Sequence, residues 1–384
     1  MKILGNDYKT SIPRSNRMSH GGTASFAPLL SNFLIKNGHQ WVGININFAK
    51  EKSEPTLVYE KDGKSFWDVA VPRALVLRTR NSRKKPDLKE VFKKEIEEIS
   101  SLISSIKPDL VFLNGAYFKP WFLLQAAYKA KIPIIAKHAG IWKKEIEGFR
   151  SFSDPAKETF KEAERDFSKL STVEIFLNSW SRSVYRKEVF SPKNSEVIAL
   201  PIHLPKIKIK SHKNPNFNIG LVARWDAIKN HEAFLALAKE CRKQNLPWEF
   251  YAVVSIPDRD VRKKEYSEYI SIEPIKNKRN LSFFYQKMDL TILPSHFDVS
   301  PHVVPESIFN GTPAMISENV GWIDDYKIAQ DWVADFSDIP SVIEKIKKIQ
   351  NLPMPKELIN TLLMRCDPES CLKKYLEVFK RVTR

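Results

Sequence analysis

Three cysteines in 384 residues leave little room for a disulfide framework. Cys241, Cys366 and Cys371 are odd in number, and none of their spacings suits a metal site, so a reducing compartment is expected. No opening segment combines a basic start, an apolar run and a small-residue cleavage site, so no secretory signal is expected. The densest apolar patch, residues 118–128, contains Lys119 and Pro120 and falls well short of the ~20 residues that span a bilayer. There is no zinc-like His/Cys/Asp set, no phosphate-binding P-loop and no Gly-x-Ser-x-Gly elbow. Asp258-Arg-Asp260 superficially looks like a metal-binding pair. It lies in a charged, proline-containing stretch and reads as a solvated loop. No internal repeat or low-complexity tract is present.

What is present is a basic α/β chain. The formal charge is +17, with +12 in residues 1–200 and +5 in residues 201–384. Such a balance favours anionic partners: phosphate-bearing substrates, acidic lipid surfaces, acidic polysaccharides or nucleic acid. Short apolar runs alternate with amphipathic segments throughout, the pattern of parallel sheets covered by helices. Strands are expected at 1–4, 41–46, 110–113, 132–136 and 174–177, with a helix over 88–107 and Asn178 capping another. The proline- and lysine-rich run 201–216 reads as a linker. Strands resume at 217–223, 248–254, 290–293 and 314–317, and a last helix begins near Pro368.

Two stretches carry chemistry. In the first, Gly220-Leu-Val-Ala-Arg224 is followed five residues later by Lys229-Asn230 at the start of a helix. Both cations and the positive helix end would suit a diphosphate. In the second, Asp298 and Glu306 stand eight positions apart, with Ser300, Pro301 and His302 between them and Asn310-Gly311-Thr-Pro313 beyond. The first acid can meet sugar hydroxyls and the second a ribose diol, while the helix start faces phosphate. Gly21-Gly22 offers backbone N–H groups where the first strand turns into its helix, and His138 ends a strand where doubly wound sheets place ligand contacts.

These stretches resemble the group-1 (family four) retaining glycosyltransferases. That family usually has Glu, seven residues, Glu, followed by an Asn/Ala-Gly-x-Pro segment; here the first acid is Asp298, one methylene shorter. The resemblance implies a GT-B fold: an acceptor-side Rossmann-like domain over 1–200, a linker over 201–216, a nucleotide-sugar domain over 217–368, and a helix over 369–384 returning to the first domain. It implies Arg224 and Lys229 on the donor diphosphate, Glu306 on the ribose, and Asp298 with adjacent loop amides on the sugar; in that donor-binding loop Ser300 or His302 could touch phosphate, and Pro301 matches a proline common in the family. Gly21 and Gly22 would approach the donor from the other domain, and His138 would bond a sugar hydroxyl. Asp or Glu often follows that histidine in the family, whereas Ala139-Gly140 follow here.

The expected partners are a nucleotide-diphosphate sugar and a glycan or lipid-linked acceptor, in cell-surface polysaccharide or glycolipid synthesis. No metal or other cofactor is expected, and no nucleic acid. The protein would be cytoplasmic, with at most a peripheral contact on an anionic inner membrane face. Phe118, Trp121 and Trp142 stand near strand ends where they could meet an acceptor. The alternative from another class is a non-catalytic GT-B-like module binding an anionic polymer or nucleic acid; an epimerase or phosphorylase is a third.

Overall fold

A computed structural model describes residues 1–7, 22–51, 53–148, 152–202, 216–257, 260–274 and 278–384. The chain forms two units, one of residues 1–201 with 368–384 and the other of residues 202–367.

The first unit holds strands β1 (Lys2–Asn6), β2 (Gln40–Ala49), β3 (Thr56–Lys61), β4 (Lys64–Pro72), β5 (Leu110–Asn114), β6 (Ile134–His138), β7 (Val173–Phe176) and β8 (Ser195–Val197). They lie in the order β3-β4-β2-β1-β5-β6-β7-β8, parallel except for the β3–β4 hairpin. That hairpin turns at Asp62-Gly63, both at positive φ (51° and 75°), the mirror-image turn geometry that suits the twist of paired strands. β5 and β6 are buried along their whole length, as strands covered by helices on both faces must be. The helix Phe118–Lys129 supplies that cover, burying Trp121, Phe122, Leu123 and Leu124 together. Each such side chain contributes about 1.5–3 kcal/mol on removal from water.

The last helix, Pro368–Val382, belongs to this unit as well. Tyr375 meets Phe26 at 4.9 Å between ring centroids, and Phe379 meets Phe112 at 5.3 Å. The segment expected as one helix over 88–107 is broken into Leu88–Val91 and Lys93–Ile106 at the fully buried Phe92. Phe118 and Trp121, read from the sequence as acceptor-side aromatics, are instead 4% and 1% exposed. They pack with Phe122, Phe92 and Phe160 in the core, and only Trp142 of the three is half-buried.

The second unit holds β9 (Phe217–Val222), β10 (Trp248–Val253), β11 (Ser271–Ile272), β12 (Leu290–Leu293), β13 (Ala314–Ser317) and β14 (Val333–Ala334). Their order is β11-β10-β9-β12-β13-β14, and every pairing is parallel. Gly220 in β9 is needed for packing, because a Cβ there would stand 2.7 Å from Met288 Cγ. Among the described residues, no helix is long and apolar enough to cross a membrane.

Candidate functional site

The strand order of the second unit reverses at β9, which has β10 on one side and β12 on the other. In open parallel sheets the loops leaving the carboxyl ends of such neighbouring strands diverge, and ligands bind in the gap. The loop after β9 carries Arg224 and Lys229, and the loop after β12 carries Asp298. Sheet topology therefore gathers residues some 70 positions apart at one edge.

Local chemistry then shapes both loops. Asp226 Oδ1 accepts the Ile228 N–H at 3.0 Å and closes a short 3-10 turn over Ala227–Lys229. Asn230, at φ 53°, follows in the left-handed region and caps the helix His231–Lys243, its Oδ1 accepting the Ala233 N–H. Two bonds tie this turn to the second loop: Asn230 Nδ2 donates to the Pro294 carbonyl at 3.1 Å, and the His296 N–H donates to the Ile228 carbonyl at 2.8 Å. Asp298 is pinned from behind, its N–H on the Asn319 carbonyl and its carbonyl accepting the Gly321 N–H.

The consequence is direct contact between Lys229 Nζ and Asp298 Oδ2, which form a salt bridge with side chains 14% and 15% exposed. Partial burial makes this a stronger interaction than a typical surface pair, since water screens it less. Arg224 stands in the same loop with its side chain 73% exposed, its guanidinium 3.3 Å from Asp226 Oδ2.

Glu306 lies on the short helix Val303–Phe309, where it accepts the Tyr285 hydroxyl at 3.3 Å. Tyr285 itself is buried, and burial pushes its phenol well above the usual range, so it remains a donor. Pro301 is buried and its carbonyl accepts the Trp322 indole N–H at 2.9 Å, while Ser300 and His302 are half-buried beside it.

The first unit treats its candidate residues differently. Gly22 opens the helix Gly22–Lys36, and Gly21 lies outside the described residues. His138 ends β6 but is only 1% exposed. Its Nε2 is 2.8 Å from Glu174 Oε1, a carboxylate that also accepts the Ser168 hydroxyl at 2.7 Å. Its ring stacks on Phe176, with centroids 4.6 Å apart, and leans on Tyr185. This packing buries His138 inside the unit, with Nε2 paired to Glu174 and Nδ1 without a hydrogen-bond partner among the described residues. An acid partner does exist, supplied by the neighbouring strand β7 instead of by the next residue.

Asp260 also departs from its expected solvated loop, since it binds Trp225 Nε1 at 2.6 Å and the Arg262 guanidinium. Asp258 lies outside the described residues. The sequence offered no motif for Glu174, Tyr285 or the Trp225–Asp260 contact, because strand register and helix packing alone bring them into place. No group of three or more His, Cys, Asp or Glu able to hold a metal occurs among the described residues.

Solved structures share this architecture over almost the whole chain. Sucrose-phosphate synthase from Thermosynechococcus elongatus aligns with 99% of this chain and 98% of its own, at a TM-score of 0.75 and 14% identity. The α,α-trehalose 6-phosphate synthase of Burkholderia multivorans covers 99% and 96%, at 0.70 and 12%. HepE from Anabaena, solved with UDP and glucose, covers 99% of both chains, at 0.67 and 11%. No family model and no curated protein matches the sequence. At these identities the likeness establishes the fold, which is GT-B: two Rossmann-like parallel-sheet units in one chain.

Proposed function

We propose that the protein is a retaining glycosyltransferase that moves a sugar from a nucleotide-diphosphate donor to a hydroxyl acceptor. The observation that carries this reading is the meeting of Lys229 and Asp298 beside the exposed Arg224, at the strand-order reversal of a fully parallel sheet. Arg224 and Lys229 supply two positive charges to the donor diphosphate, and Asp298 keeps the Lys229 ammonium from swinging into solvent. Glu306, steadied by Tyr285, accepts the ribose hydroxyls.

The chemical work in this reading is electrostatic. As the bond between the anomeric carbon and the leaving phosphate oxygen breaks, negative charge grows on the diphosphate, and the two cations lower its energy. The acceptor oxygen bonds to the anomeric carbon on the same face, and its proton passes to the departing phosphate. No protein nucleophile takes part, and Arg224 with Lys229 fills the role that a metal ion has in other transferases. The acceptor is a glycan or lipid-linked hydroxyl, and the basic balance of the chain supports an anionic acceptor or a peripheral contact with an anionic membrane.

Arg224→Ala and Lys229→Ala should each cut transfer by about 100-fold, the scale for losing one preorganised charge-stabilising group. Near-normal rates in both would remove the mechanism. Thermal stabilisation by UDP, GDP and ADP sugars identifies the donor, because a bound ligand raises apparent stability. Binding of an anionic polymer with steep loss in salt, and no response to any donor, would favour the non-catalytic alternative.

A further inference from the structure

We propose that Trp225, Asp260 and His231 form a brace that positions Arg224 for the donor diphosphate. The inference rests on the assignment of Arg224 made above and adds residues that act through it. Arg224 is the second residue beyond β9, and its side chain is 73% exposed, so packing does not hold it in place. Its backbone is held instead. The Arg224 carbonyl lies 2.7 Å from His231 Nε2, which must be the donating nitrogen. The Tyr266 hydroxyl lies 3.3 Å from the other ring nitrogen, Nδ1. Burial lowers the pKa of His231, which favours this neutral tautomer.

The next residue is gripped from three sides. Trp225 Nε1 donates to Asp260 Oδ2 at 2.6 Å, and its ring lies 4.6 Å from the His231 ring and 5.2 Å from Tyr266. The Arg262 guanidinium sits 4.8 Å over the indole while donating to the same carboxylate through Nε at 3.0 Å and Nη2 at 2.8 Å. Those bonds from Arg262, with the one from Trp225, hold the Asp260 carboxyl well below the usual carboxylate range, so it stays a charged acceptor. These contacts hold the chain just after the Arg224 Cα, and the Ala223 N–H, bonded to the Val253 carbonyl at 3.2 Å, holds it just before, so the reach of the guanidinium is limited by preorganised neighbours.

A double-mutant cycle tests the brace. Trp225→Phe keeps an aromatic ring at the position but removes the N–H along with part of the indole, and binding is measured to whichever of UDP, GDP and ADP the wild type holds most tightly. Trp225→Phe should weaken that binding by about tenfold, within the range for residues coupled through one network. In an Arg224→Ala background the same change should cost less than about twofold, because the guanidinium it positions is gone. Equal losses in both backgrounds, or no loss in the wild type, would overturn the brace. If Arg224→Ala alone leaves nucleotide binding unchanged, the donor assignment of Arg224 falls and the brace with it. Should Trp225→Phe not fold, Asp260→Asn, which keeps side-chain volume and removes the charge, decides through the same cycle.

Discussion

The two units build the same kind of parallel sheet and then use its carboxyl edge in opposite ways. At the edge of the second unit, Lys229, Asp298 and Arg224 remain partly or largely exposed. At the edge of the first, Lys137 and His138 at the end of β6 have almost no exposure, and neither has Glu174 early in β7. A basic side chain and an acidic one occur in both places. Depth separates a pair that water still reaches from one sealed in the interior. In the proposed reading, Lys229 exchanges Asp298 for phosphate at a cost that its remaining contact with water keeps below that of a fully buried pair. His138 cannot release Glu174 without leaving a buried nitrogen unmet and the buried Glu174 with one fewer donor.

That contrast can be broken by experiment. Glu174→Ala should give the largest effect, since it strands the buried His138 Nε2, at about 1–3 kcal/mol, and leaves the Ser168 hydroxyl with only Tyr185 as partner. Thermal unfolding would read this as a clear fall in Tm, and an unchanged Tm would show that burial in the first unit is less strict than its geometry implies. Glu306→Ala should cost less: donor affinity falls about tenfold, the value of one hydrogen-bond set to a charged group, while Tm falls only by what the long Tyr285 hydroxyl bond contributes. A large fall in Tm instead would place Glu306 on the structural side of the comparison.

The smallest effect concerns pH. Glu164 is buried and caps residues 142 and 143, its two oxygens accepting the Trp142 and Lys143 N–H groups at 2.8 Å each. Burial raises its carboxyl to about 8, with Glu145 pushing the same way and the Trp142 and Lys143 N–H groups and the Lys143 charge opposing. The folded chain therefore holds a proton that the unfolded chain releases near pH 4–5, and stability falls as pH rises from there toward 8. Glu164→Gln should be less stable at low pH and should lose that slope; an unchanged slope would assign it to other groups.

Much of this was readable without coordinates, and the reason differs from element to element. Strands such as Leu110–Asn114 and Leu290–Leu293 announce themselves because strands buried on both faces need unbroken apolar runs. Arg224, Lys229 and Asp298 were legible because they sit on loops that directly follow such strands, so local order along the chain already places them at the sheet edge. The hairpin over 56–72 carried a readable signal, Asp62-Gly63 between alternating residues, which the charged surroundings obscured. Glu174 was not legible as the partner of His138. Thirty-six residues separate them, and only the register that sets His138 against Phe176 brings the acid within 2.8 Å. The Trp225–Asp260 bond hides for the same reason, since a contact across 35 residues has no local pattern.

Lys137, one residue before the histidine, has its own consequence. Its amine is fully buried, 3.8 Å over the Phe26 ring, with no hydrogen-bond partner among the described residues. Burial lowers its pKa well below the ordinary lysine range. Such an amine is a good nucleophile that no acylating reagent can touch while the fold is shut. Its rate of labelling would therefore clock the breathing of the first unit, a reporter that requires no engineered probe.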